Sequence, residues 1–173
     1  MTFRSFIAGA FTLLSTGSFA QSSIIDASRS GDLVAIEQMF EMDADTLNYQ
    51  NAQGYTPLIL AAYYNRVEVA RFLLENGATI PNQPNTATSL QAAAYKGFVD
   101  MVDLLLEYGA HPDIQDPNGM TALHYAAQFN HVEIARLLLE AGANREVTDE
   151  AGRTAMQYAQ LLNQAEVLSL FEE

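Results

Sequence analysis

The 173-residue chain has no cysteine, which excludes disulfides, a thiol nucleophile and a lipid-bearing cysteine behind a leader. Basic residues are scarce too: eight Lys and Arg stand against 21 Asp and Glu, a formal net charge of −13 at pH 7. Nucleic acids and anionic membrane surfaces are gripped by Lys and Arg set against phosphates, so the charge balance argues against both as partners. Beyond the first twenty residues every apolar stretch is broken by turn residues, well short of the ~20 that a bilayer crossing needs, and no membrane span is expected. The common catalytic signatures are missing as well: there is no G-x-S-x-G, no Gly-rich phosphate loop and no H-E-x-x-H.

What the chain does have is repetition. The stretch Asp116 to Asn144 returns, degraded but in register, on both sides of itself. Thr56, Thr88, Thr121 and Thr154 open it at spacings of 32, 33 and 33 residues, and Gly77-Ala78, Gly109-Ala110 and Gly142-Ala143 close it. A fixed period of this length marks a stacked-repeat architecture. Each Thr is placed to cap a short helix; Pro57 follows one at the favoured first helical position, and Gln91 and Gln157 stand where a capping box needs them. After Asn130-His131 a second helix carries Val132, Ile134, Ala135, Leu137, Leu138 and Leu139, and Gly142 supplies its left-handed stop. Before Thr121, Asp116-Pro117-Asn118-Gly119 has type I turn preferences, and Asn51 with Gly54 and Asp149 with Gly152 repeat its ends in two other units.

T-A-L-H-Y-A-A with a following L-L-L-E-A-G-A resembles the ankyrin repeat, whose signature is T-P-L-H-x-A-A with a later Gly-Ala, over nearly all of the chain behind the leader. The resemblance implies an all-α solenoid of stacked helix pairs joined by β-turn fingers. Five pairs are expected, at about 22–50, 54–84, 86–115, 119–148 and 152–173, in one domain spanning 21–173. Asn65 and Asn130 stand where the family has Gly between the helices, which Asn tolerates. Gln83 to Thr86 lacks both the Asp and the Gly of the turn, and Gly77 to Thr88 is one residue short, so this finger is expected to be the most mobile connection. The first copy, Ser22 to Asn48, lacks the Thr-Pro-Leu start, and Gln160 and Glu172 replace the small and apolar residues of inner copies, as uncovered end faces require.

Met1 to Ala20 reads as a secretory leader: Arg4, a mostly apolar core from Phe6 to Leu14, and Ser18-Phe19-Ala20 before Gln21. Cleavage near Ala20 and Gln21 would deliver an acidic protein, net −14, to the periplasm or beyond, and a monomer is expected. The acids lie mostly on second helices and read as a solvated face.

His124 occupies the His of the family signature and His131 the inter-helix His, so the resemblance implies structural roles for both. His111, Asp113 and Asp116 lie close in sequence, but a loop holding Pro112 and Pro117 makes a poor metal site, and neither metal nor cofactor is expected. In ankyrin stacks the turn tips and first helices form a concave face. The corresponding residues are Tyr55, Tyr63, Tyr64, Tyr95, Lys96, Met120, Gln128, Phe129 and Arg153, with Leu161 and Leu162 at the end. Tyr, Phe, Met and Arg are enriched in protein interfaces, and some of these rings could equally pack on neighbouring helices. The expected function is an exported protein-binding module with no catalysis that holds another protein on this strip. The alternative is a small-ligand-binding or host-directed effector protein using the same face.

Overall fold

A computed structural model describes residues 24–80 and 87–172. The leader and the segment Gln83 to Thr86, with Pro81 and Pro84, lie outside the described residues. So do the expectations placed on them.

Among the described residues five helix pairs follow one another: α1 (24–30) with α2 (Leu33–Met42), α3 (Pro57–Tyr63) with α4 (Val67–Glu75), and α5 (Ser89–Lys96) with α6 (Val99–Glu107). After them come α7 (Ala122–Gln128) with α8 (Val132–Glu140) and α9 (Ala155–Leu161) with α10 (Ala165–Ser169). A 3-10 turn, Ala44–Asn48, leaves the first pair. Among the described residues the only β pairing is an isolated antiparallel bridge between Thr148 and Thr154.

Each inner first helix begins at its threonine. Thr56 Oγ1 accepts from the Ile59 N–H, and Thr88 with Gln91 and Thr154 with Gln157 form complete capping boxes. Thr121 goes beyond the simple cap expected of it, because His124 fills the place of Gln and closes a capping box there too. The chain turns between paired helices on left-handed residues: Gly97 at φ 80°, and Asn65, Asn130 and Asn163 at φ 55°, 57° and 55°. Second helices end on the Gly-Ala pairs, where Ala78, Ala110 and Ala143 return their N–H groups to Leu73, Leu105 and Leu138 at 2.8 to 2.9 Å.

First helices stack on first helices, α3 on α5 on α7 on α9, and α4, α6, α8 and α10 stack likewise on the other side. Ala62, Ala94 and Ala127 are fully buried where one layer meets the next, while Gln160 at the same position of the last pair is exposed. One continuous apolar core runs through the stack, with Leu73, Leu105 and Leu138 wholly enclosed.

Candidate functional site

The fingers are pinned by their first residue. Asp116 Oδ1 accepts from the N–H groups of Asn118 and Met120 at 2.8 and 2.9 Å, and Asp149 Oδ1 does the same for Ala151 and Arg153. The second oxygen of each receives a tyrosine hydroxyl from the helix that follows, Tyr125 to Asp116 at 2.5 Å and Tyr158 to Asp149 at 2.6 Å. Burial pushes Asp149 upward, but the bonds from Tyr158 and Arg153 outweigh it and hold the carboxyl at about 2. Burial and the adjacent carboxylate raise the Tyr125 and Tyr158 hydroxyls. This Asp–Tyr pairing was not anticipated from the sequence. Its signal is that Asp five before the Thr and Tyr four after it occur together in two units, whereas the other two carry Asn51 with Leu60 and Gln83 with Ala92.

A second set of bonds crosses between units. Gln91 Nε2 donates to the carbonyls of Ile114 and Met120, both at 2.8 Å, and His124 Nε2 donates to the carbonyl of Arg153 at 3.0 Å. His124 Nδ1 accepts from the Thr121 N–H, so the imidazole is neutral with its proton on Nε2. Burial lowers its pKa, against the raising effect of the Arg153 carbonyl and of Asp149 and Asp116. His131 places its ring against Gly97, where a Cβ would stand 2.7 Å from it. His111 Nδ1 accepts from the Asp113 N–H, and Asp113 in turn accepts from Asn144. Among the described residues no three His, Asp or Glu gather to hold a metal ion.

The strip expected on the first-helix side stands partly as drawn. Tyr55, Tyr63, Tyr64, Tyr95 and Phe129 are each 37 to 44% exposed, and Lys96 is exposed. Their rings meet edge to face, Tyr63 on Tyr64 at 5.1 Å and Tyr95 on both Phe129 and Tyr125 at 5.0 and 5.7 Å. Lys96 Nζ lies over the Tyr63 ring, 4.8 Å from its centroid, and ties the two clusters together. Gln128 is half-buried, and its carbonyl accepts from Gln164. Leu161 and Leu162 are exposed on the last pair.

Met120 is a correction. It is only 6% exposed, because the residue that closes the finger turn has its backbone tied to Asp116 and Gln91 and sends its side chain into the core. Arg153 is exposed, but Asp149 holds its guanidinium at 3.0 Å and the Tyr158 ring lies beneath it at 4.5 Å. It braces its own finger.

The sequence led to a concave face but not to a distinct cleft within it. A cleft of about 400 Å³ opens between α3 and α5, walled by Tyr55, Tyr63, Tyr64 and Tyr95, floored by Ile59, Leu60, Gln91 and Ala92, and flanked by Arg29, Ala87 and Tyr125. Leu60 and Ala92 stand where the later units place Tyr125 and Tyr158. The ring that fills this position further along the stack is absent here, which leaves the space.

The geometry has its counterpart in comparisons with known proteins. A family model for ankyrin repeats matches residues 24–116 and 90–172. The chain is similar to the E3 ubiquitin-protein ligase hecd-1 of Caenorhabditis elegans, 30% identical over 65% of this chain and 4% of that protein. It is also similar to the palmitoyltransferase akr1 of Neurospora crassa, 34% identical over 56% of this chain and 14% of that protein. A third relative is the 26S proteasome non-ATPase regulatory subunit 10 of Dictyostelium discoideum, 30% identical over 57% of this chain and 44% of that protein. These relatives are eukaryotic, and the chain spans less than half the length of each. Capped helix pairs stacked at a period of 32 to 33 residues, together with the match along the whole described stack, mean that the chain belongs to the ankyrin-repeat family.

Proposed function

We propose that this chain is an exported protein-binding module that holds another protein on the concave, aromatic side of its stack, as a monomer and without catalysing a reaction. Ankyrin repeats point to protein partners. The observation that carries the reading is the row of Tyr55, Tyr63, Tyr64, Tyr95 and Phe129, exposed on the first-helix side of an otherwise well-filled stack. Among the described residues the hydroxyls of the four tyrosines make no hydrogen bond, so each has a donor and an acceptor to offer. Such amphipathic rings contribute much of the energy of protein interfaces.

Export rests on Arg4, the apolar run Phe6 to Leu14 and Ser18-Phe19-Ala20 before Gln21. Intact-mass measurement of the exported protein tests it, with a product beginning at Gln21 expected; a soluble product that retains Met1 counts against it. Affinity capture from an envelope extract tests the binding role. The second reading is a small-ligand-binding or host-directed protein, and the cleft between α3 and α5 is what favours it. A thermal-shift screen of small molecules separates the two, because a ligand that fills a pocket raises the melting temperature by mass action.

A further inference from the structure

The cleft differs from the rest of the molecule in charge. Among 21 carboxylates, none lies between Asp45 and Glu68 and none between Glu75 and Asp100, the two stretches that supply most of the cleft. The helices α3, α5, α7 and α9 contain no Asp or Glu at all. The carboxylates bonded to lining residues are themselves occupied: Asp26 is ion-paired with Arg29 at 2.8 Å, and Asp116 holds the Tyr125 hydroxyl and finger N–H groups. Lys96 lies outside the lining but over the ring of Tyr63, one of the cleft's walls, and makes no ion pair among the described residues. In a protein of net charge −13 the cleft is therefore a neutral-to-positive window in an acidic surface.

We infer that the cleft between α3 and α5 is the anchor pocket of the binding face, and that it takes a large aromatic side chain from an extended partner segment with a carboxylate beside it. The inference rests on the reading of the first-helix side as a partner-binding face. Its size suits the occupant, since about 400 Å³ lies at the small end of ligand pockets, which run from roughly 300 to 1,000 Å³. Ile59, Leu60 and Ala92 make most of the floor apolar, the Gln91 amide beside them is bonded to Thr88, Ile114 and Met120, and the edges of the surrounding tyrosines offer a ring the edge-to-face contacts they already make with one another. Lys96, over the Tyr63 wall and without an ion pair among the described residues, is the cation within reach of the flanking carboxylate. A basic segment would instead meet Lys96 and Arg29 with nothing unpaired to receive it, so the local charge selects an acidic partner segment even though the protein as a whole is acidic.

The chain has no Trp, so indole fluorescence reports a bound peptide directly. Full-length protein is titrated with two blocked pentapeptides, Gly-Glu-Trp-Glu-Gly and Gly-Lys-Trp-Lys-Gly. The Glu-flanked peptide should bind at least about tenfold tighter, and Lys96→Glu should remove that preference. Ala92→Phe, which restores a ring where Tyr125 and Tyr158 stand in later units, should fill the cleft and abolish binding with the melting temperature kept. Equal binding of both peptides, tighter binding of the Lys-flanked one, no binding of either, or binding that survives Ala92→Phe overturns the inference. Should Ala92→Phe melt early, Lys96→Glu decides by itself, because it alters an exposed side chain. Capture of the natural partner that is lost in a Tyr95→Ala, Phe129→Ala variant but retained in Ala92→Phe would leave the binding face standing and remove this cleft from it.

Discussion

His124 reaches across the junction between two repeat units and donates its Nε2 proton to the carbonyl of Arg153, 3.0 Å away, while its Nδ1 caps the start of its own helix. One side chain thus both begins a helix and fastens it to the next finger. His124→Ala should cost about 2–3 kcal/mol, from a lost cap and a lost buried hydrogen bond. His124→Gln copies the arrangement of Gln91, which bonds the carbonyl of Met120 at 2.8 Å, and should cost less than about 1 kcal/mol. Urea denaturation of the two variants checks the ordering.

The same residue sets a pH dependence. Its pKa is lowered in the fold, so below about 6.5 the unfolded chain takes up a proton that the folded one refuses. This contribution to stability is complete above that pH and falls as the pH drops toward the folded value. The acid limb just below neutrality should shrink in His124→Gln, and a limb unchanged there would place the titrating group elsewhere.

Asp149 acts at lower pH. With its carboxyl held at about 2 against an ordinary value of 3.8, its contribution is present above 3.8 and is lost as the pH falls through about 2. Tyr158→Phe removes a 2.6 Å bond to that carboxylate and should cost about 1.5–3 kcal/mol at pH 7, with the deficit narrowing toward pH 2. Chemical denaturation across this range measures it.

Gly119 and Gly142 both hold left-handed backbone, at φ 75° and 84°, but only Gly119 lies under another finger. A Cβ there would stand 2.8 Å from the Glu150 nitrogen, which donates to the Asn118 carbonyl at 3.0 Å, whereas nothing lies within 4 Å of a Cβ at Gly142. Gly142→Ala should cost about 1 kcal/mol for conformation alone. Gly119→Ala should exceed it by about 1–2 kcal/mol, read from paired thermal melts.

Much of the stack was legible because its signals are local. A Thr with Gln three residues on, or an Asn or Gly between helices, fixes a helix end through bonds to its own neighbours, and Thr88, Thr154, Asn65 and Asn130 all behave as their surroundings dictate. The exposed rings were legible for a similar reason, since Tyr63, Tyr95 and Phe129 stand near the buried Ala62, Ala94 and Ala127 on a known helical period. Met120 was misplaced because its burial depends on how the turn folds back beneath its own finger. The cleft was hidden because it arises from a comparison between units, where Leu60 and Ala92 replace the rings of Tyr125 and Tyr158.

The central claim, that the exposed rings of the first-helix side hold a protein partner, is tested most directly by affinity capture with the Tyr95→Ala, Phe129→Ala double variant beside the unaltered protein. Edge-to-face contacts between these two rings should make the variant less stable by only about 1 kcal/mol, while capture of the partner is lost. Undiminished capture by the folded variant would contradict the account. So would a stability loss of about 3–5 kcal/mol, which would mark the rings as core.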